Sequence, residues 1–288
     1  MSLSNFMPDN LGPLVSTAWL EAALGRPDLV VLDASWYLPQ TGRDARQEYL
    51  ERHIPGALFY DLDAISDPLS PLPHMLGPAD HFAAAMGALG ISNDSFVVCY
   101  DGSGANLSAA RAWWTFKVFG HDRAAVLDGG LVAWQREGRS LESGNAQRPA
   151  ARFTAGYRKE LVRSIGDLRE AMERGSAQVV DARSAGRFTG REPEPRPGLR
   201  PGHMPGARNL PYPELVDAEG RLLPPEQLRE RFRSAGVDLS RPVVTSCGSG
   251  VSAAALLLAL ERLGHRQHAL YDGSWAEYGS TDLPVEKE

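Results

Sequence analysis

The residues best equipped for chemistry lie in one short stretch, Ser246-Cys247-Gly248-Ser249-Gly250-Val251-Ser252. It sits between the apolar run Val243-Val244-Thr245 and an apolar helical pattern that starts at Ala253. A cysteine acts as nucleophile through its thiolate. A strand, a glycine-containing loop and then a helix would set Cys247 at the carboxyl end of a parallel sheet, where open α/β sheets bind ligands. Gly248 and Gly250 let such a loop curl so that successive N–H groups point inward at a helix N-terminus, a nest for an anion. That field would stabilise a thiolate and, equally, a negatively charged persulfide. The plainer alternative is a buried core thiol, because cysteine often behaves as a small hydrophobe.

Three other chemistries of such a loop are testable on the residues. A tyrosine-phosphatase-type loop needs an arginine six residues after the cysteine to hold phosphate, and position 253 is alanine. A P-loop needs Gly-Lys followed by Ser or Thr, and none of Lys117, Lys159 and Lys287 is so placed. Gly248, Gly250 and Ala253 do satisfy the dinucleotide pattern G-x-G-x-x-A, with Asp272 about 20 residues on. Only 16 residues follow Asp272, however, too few to complete a nucleotide-binding fold, and Leu107 takes the third small position in the matching first-half loop. No CxxC, HExxH or other metal-ligand spacing occurs, so neither a metal nor another cofactor is expected.

The elements that must position Cys247 emerge from an internal repeat. Val30-Val31-Leu32-Asp33-Ala34 returns as Val179-Val180-Asp181-Ala182-Arg183, and His53-Ile54-Pro55-Gly56-Ala57 as His203-Met204-Pro205-Gly206-Ala207. Val97-Val98-Cys99-Tyr100-Asp101-Gly102 returns as Val243-Val244-Thr245-Ser246-Cys247-Gly248, and Leu127-Asp128-Gly129-Gly130 as Leu270-Tyr271-Asp272-Gly273-Ser274. Four matches in one order at nearly constant offset define a tandem duplication. Cys99 aligns with Thr245 inside a strand and is expected in the core. Asp101 stands where the second copy has Cys247, so the first loop has no thiol chemistry. His53 and His203 recur in both copies, which favours a structural bond to a backbone carbonyl beside the Pro-Gly turn.

Val30–Asp33, Phe96–Tyr100, Val179–Asp181 and Val243–Ser246 are short, β-branched and bounded by polar residues, as buried strands are. Ser16 to Leu24 and Ser164 to Arg174 read as helices opening on serine caps. Alternation of β and α elements predicts an α/β protein with parallel sheets covered by helices. The expected division is a first domain over 12–140, a linker over 141–157 rich in Gly, Ser, Arg, Pro and Ala, and a second domain over 158–288 that carries the nucleophile. Ala112-Trp113-Trp114-Thr115-Phe116 reads as a core helix face.

Composition narrows the setting. The 288 residues are 43% hydrophobic and 23% charged, with 36 acidic and 30 basic side chains and a net charge of −6. A nucleic-acid partner calls for a basic surplus, and none is present. The longest apolar run, Ala253 to Leu260, ends at Glu261, far short of the roughly 20 residues needed to span a bilayer. The first 16 residues lack the basic flank and apolar stretch of a secretory signal. Two cysteines give no disulfide framework, which points to a reducing, cytoplasmic setting.

The two His-x-Pro-Gly-Ala elements, the Asp-Gly-Gly element near Trp134 and the Cys-Gly-Ser-Gly-Val-Ser-Ala loop resemble the tandem-domain rhodanese family of sulfurtransferases, from about Leu14 to Tyr278. The resemblance implies two rhodanese-like domains, each a parallel sheet flanked by helices, with Gly248, Gly250, Val251 and Ser252 among the substrate-binding loop residues. Family members that use thiosulfate typically carry basic residues directly after the cysteine. Gly248 and Ser249 there are instead similar to the 3-mercaptopyruvate sulfurtransferases, as are Gly186-Arg187-Phe188 and Glu192-Pro193-Glu194-Pro195-Arg196. In that subfamily the arginines matching Arg187 and Arg196 bind the donor's carboxylate and keto oxygen, a task for which guanidinium forks are suited. The resemblance also implies catalytic roles for Ser249, His74 and Asp63, with Asp61 as an alternative to Asp63. It further implies a small-molecule sulfur donor and an acceptor that is a thiol, such as a thioredoxin-type protein, or cyanide. Thiosulfate as donor, and a non-catalytic rhodanese-like interaction module, are the competing expectations.

Overall fold

The computed structural model describes residues 12–287; most of the N-terminal segment read above for a targeting signal, and the final residue of the second domain, lie outside them. Two five-stranded sheets are formed. The first contains β1 (Leu14–Val15), β2 (Leu29–Asp33), β3 (Leu58–Phe59), β4 (Phe96–Tyr100) and β5 (Ala124–Leu127), in the order β1-β5-β4-β2-β3. The second contains β6 (Val162–Arg163), β7 (Gln178–Asp181), β8 (Arg208–Asn209), β9 (Val243–Ser246) and β10 (His268–Tyr271), in the order β6-β10-β9-β7-β8. Every pairing is parallel. Register confirms the repeat: Asp33 lies opposite Tyr100, and Asp181 opposite Ser246, so Asp101 and Cys247 each leave their sheet at the equivalent point.

The connections are α1 (Thr17–Ala23), α2 (Ala45–Glu51), α3 (Leu62–Ile65), α4 (Ala79–Ala88), α5 (Leu107–Val118) and α6 (Gly130–Arg136) in the first copy. In the second they are α7 (Ile165–Arg174), α8 (Ala185–Thr189), α9 (Pro225–Ser234), α10 (Ala253–Arg262) and α11 (Ser274–Tyr278). The expected caps form. Ser16 accepts the Trp19 N–H, and Ser164 and Asp167 make a reciprocal capping box ahead of α7.

Helices α5 and α10 are mostly apolar because nearly every face of each is packed. A helix that is hydrophobic all round has no solvent face to supply. Trp113, Trp114 and Phe116 of α5 and Leu256, Leu257, Leu258 and Leu260 of α10 are all buried in one continuous core that draws on both copies. Each such leucine contributes about 1.5–3 kcal/mol through burial. The longest apolar run of the sequence is thus an internal helix of ten residues, and among the described residues no helix is long and apolar enough to cross a membrane.

The segment expected to be a linker lies docked along the first copy. Glu142 exchanges backbone bonds with His53, Ala151 N–H donates to Gly87, and Gly156 N–H and Arg158 N–H donate to Phe119 and Val118. Phe153 is buried against Phe82 and Phe116. Close approach requires bare glycines: a Cβ on Gly87 or Gly90 would stand 2.8 or 2.6 Å from a connector carbonyl oxygen.

Candidate active site

Cys247 is the first residue past β9. Its N–H donates to the Ser274 hydroxyl at 3.2 Å, and that hydroxyl donates to the Tyr271 carbonyl at 2.9 Å. The first turn of α11 then takes up the loop carbonyls, with Trp275 N–H on Cys247 and Ala276 N–H on Gly248. Among the described residues no protein acceptor takes the N–H groups of Gly248 through Ser252. The loop therefore leaves donors unspent at the start of α10, as an anion nest requires.

The Cys247 side chain borders a cavity of about 310 Å³. Gly248, Ser249, Val251 and Ser252 line it with Arg187, Arg196 and Tyr212, while Trp36, Leu107 and Ser103 close it from the first copy. Gly250 is placed differently from expectation. It turns away from the cavity at φ +77°, its carbonyl accepts from Arg111, and a Cβ there would lie 2.7 Å from the Arg111 guanidinium. A larger cleft of about 580 Å³ opens elsewhere on the domain boundary, between Leu76, Tyr157 and Arg163, and contains neither cysteine.

Arg187 and Arg196 converge above the loop. An Arg187 nitrogen would stand 2.9 Å, and an Arg196 nitrogen 3.8 Å, from a Cβ built on Gly248, so a side chain there would displace Arg187 and touch Arg196. Arg187 is held from behind by Glu194, which binds it at 2.5 Å. Glu194 also binds Arg183 at 2.6 Å, and Arg183 in turn pairs with Asp181 at 2.7 Å. Burial pushes Arg196 below its ordinary value while the thiol of Cys247 opposes that shift.

His74 and Asp63 do reach the loop. His74 Nδ1 lies 3.0 Å from the Ser249 hydroxyl, and its Nε2 lies 3.2 Å from Asp63 Oδ1. His74 holds a left-handed backbone at φ 61°, a strained state that persists only where surroundings enforce it. Burial pushes His74 below the usual histidine range, with Asp63 opposing. The bond to His74 holds the Asp63 carboxyl below the usual carboxylate range. A neutral ring with its proton on Nε2 donates to Asp63 and accepts the Ser249 hydroxyl proton, which leaves the Ser249 oxygen to receive Arg196 at 3.4 Å. Asp61 is occupied elsewhere, capping α3 through the Ala64 N–H.

Cys99 is buried in the core, and burial pushes its thiol well up. His53 and His203 each bond a backbone carbonyl through Nδ1, of Tyr49 and Phe188. Both carbonyls belong to the preceding helices, so these rings tie each helix to its Pro-Gly turn.

Residue types alone did not single out Arg111, and marked Asp272 only as part of the dinucleotide pattern and the repeat. Both are buried, they pair at 2.7 Å across the two copies, and Arg111 also donates to the His74 and Gly250 carbonyls. The available signal was one arginine in the middle of α5, set among alanines and tryptophans. Among the described residues, no cluster of three or more His, Cys, Asp or Glu side chains is arranged to hold a metal.

The comparisons with known proteins agree with this fold. The rhodanese-like domain model matches residues 16–137 and again 164–281. The chain belongs to the rhodanese family, as a tandem pair of its domains. It is 47% identical to human 3-mercaptopyruvate sulfurtransferase, over 92% of this chain and 91% of that one. It is 45% identical to the mitochondrial thiosulfate/3-mercaptopyruvate sulfurtransferase 1 of Arabidopsis thaliana, over 95% of this chain and 78% of that one. The crystal structure of SseA from Escherichia coli, described among 3-mercaptopyruvate sulfotransferases, superposes with a TM-score of 0.84 at 42% identity, over 92% of this chain and 99% of that one.

Proposed function

We propose that the chain moves a sulfur atom from 3-mercaptopyruvate, through a persulfide on Cys247, to an acceptor thiol or cyanide, releasing pyruvate. One observation carries the reading: the only thiol bordering the cavity lies beneath two convergent arginines, Arg187 and Arg196. Their forks suit a carboxylate and an adjacent keto oxygen. They would hold the donor with its sulfur toward Cys247. The thiolate attacks that sulfur, an S–S bond forms, the C–S bond breaks, and its electron pair passes to the enolate of pyruvate. The proton carried in on the donor's sulfur moves to the enolate carbon, with Ser249 as relay and His74 and Asp63 behind it. The free N–H groups of the loop stabilise the persulfide anion. An acceptor thiolate, such as that of a thioredoxin-type dithiol, or cyanide then attacks the outer sulfur and returns the Cys247 thiolate.

Both cysteines are free and buried, which supports operation in a reducing compartment such as the cytoplasm. Treatment with 3-mercaptopyruvate should add about 32 Da, one sulfur atom, to the peptide containing Cys247 and release one pyruvate per chain. An adduct that survives Cys247→Ser overturns the proposal. Faster loading from thiosulfate at equal concentration would shift the donor, and no loading from either would favour an interaction module.

A further inference from the structure

Asp101 stands at the nucleophile's position in the first copy, yet it is far from idle. It is buried, and four donors converge on its carboxylate. Oδ1 accepts the Ser103 N–H at 2.9 Å and the Ser103 hydroxyl at 2.5 Å. Oδ2 accepts the Ala109 N–H at 2.9 Å and the Ser108 hydroxyl at 3.4 Å. With its proton spent on Asp101, the Ser108 oxygen accepts the backbone N–H of Trp36 at 3.2 Å. The Trp36 indole N–H then donates to Asp63 Oδ2 at 3.0 Å, and its ring meets His74 edge-on at a centroid distance of 4.4 Å.

This chain of bonds ends on the least restrained member of the site. The Asp63 side chain is 67% exposed, while its partner His74 is buried. An exposed carboxylate with one partner exchanges rotamers in water, whereas two donors in fixed directions select one. We propose that Asp101 and Trp36 are positioning residues of the active site: Asp101 anchors the segment bearing Trp36, and the indole holds Asp63 against His74. The first copy's loop thus serves the second copy's chemistry from the place where a nucleophile would sit. The kinetic side of this role rests on the proposed sulfur transfer; the structural side does not.

The charged groups facing His74 are Asp63 from α3, Arg111 from α5 through the His74 carbonyl, and Arg196 above Ser249. Asp272 accepts the nearby Leu76 N–H. Asp63 is the one of these that Trp36 touches, so Trp36→Phe, which keeps an aromatic face and removes the N–H, isolates the contact. The His74 imidazole is titrated by NMR, and Cys247 persulfide formation is timed under single-turnover conditions. Trp36→Phe should move the His74 midpoint to lower pH, in the direction of Asp63→Asn, and slow persulfide formation about tenfold or more. Asp101→Asn should move both readouts the same way by less. The double variant of Trp36→Phe and Asp63→Asn should be no slower than Asp63→Asn alone, as expected for one coupled unit. An unmoved His74 titration in Trp36→Phe, or losses that multiply in the double variant, would overturn the role of Trp36. An unmoved titration in Asp101→Asn would overturn that of Asp101. The titration needs no substrate, so a wild-type chain that forms no persulfide refutes the sulfur-transfer reading without touching this one.

Discussion

His74 Nδ1 and the Ser249 hydroxyl meet at 3.0 Å although 175 residues separate them in the chain. Each copy alone holds half of this pair. The loop with the thiol comes from the second, and the imidazole bonded to its serine comes from the first.

That contact sets a pH dependence. His74 accepts the serine proton only when neutral, and burial places its folded value below the ordinary 6.5. Persulfide formation should be level above about pH 6.5 and fall below it. Asp63 opposes the depression, so Asp63→Asn should carry the acid limb to lower pH while lowering the plateau roughly 10- to 100-fold. The same shift affects stability: between the folded and unfolded values the unfolded chain binds more protons, so stability is lost as pH falls through that window. A pH–rate profile of the two proteins checks the assignment.

Arg187 is gripped by Glu194 through two nitrogens, at 3.2 and 2.5 Å. Lysine cannot reproduce that planar fork. Arg187→Lys should raise KM for the donor about 10- to 100-fold, with a smaller effect on kcat. Equal losses in kcat and kcat/KM would place the arginine's contribution in the transition state instead.

The buried Arg111–Asp272 pair joins the copies beneath the site. Asp272→Asn leaves a buried guanidinium without its counter-charge and should cost about 3–5 kcal/mol in denaturant unfolding. Adding Arg111→Met, which replaces the orphaned charge with an apolar chain, should recover part of that loss. A double variant weaker than Asp272→Asn would refute this account.

The equivalent strand ends of the two copies have different neighbours. Asp181 has the Arg183 guanidinium against it, whereas the matching Asp33 is followed by Ser35, and burial pushes its carboxyl up to about 6. The folded chain therefore keeps a proton there that the unfolded chain releases near pH 4, and stability from this group is lost as pH rises to about 6. Asp33→Asn should be more stable than the parent above that pH, by about 3 kcal/mol at most, and should show no such gain near pH 3. Thermal unfolding at the two pH values decides the matter.

Local pattern carried much of this arrangement. The repeated Val-rich runs gave both sheets, because buried parallel strands must be apolar on both faces. The strand–glycine–helix pattern around Cys247 gave the position of the thiol at the end of β9. What stayed hidden depends on which surfaces meet. Arg111 reads as a misplaced charge until Asp272 from the other copy lies beside it. Trp36 reads as one more aromatic until its N–H is seen on Asp63. Gly250 has a loop glycine's composition but faces Arg111, a direction that spacing does not encode. The connector shows no periodicity because extended chain held by backbone bonds needs none.

That connector has a practical consequence. Its backbone bonds and Phe153 are committed to the first copy, while Val162 already pairs with Leu270 in the second sheet. The seam between the ancestral halves therefore falls between Arg158 and Val162, not where the first sheet's last helix ends near Arg136. A gene split for co-expression of two fragments belongs at that seam. An earlier cut would strip the first fragment of a strap its glycines are shaped to receive.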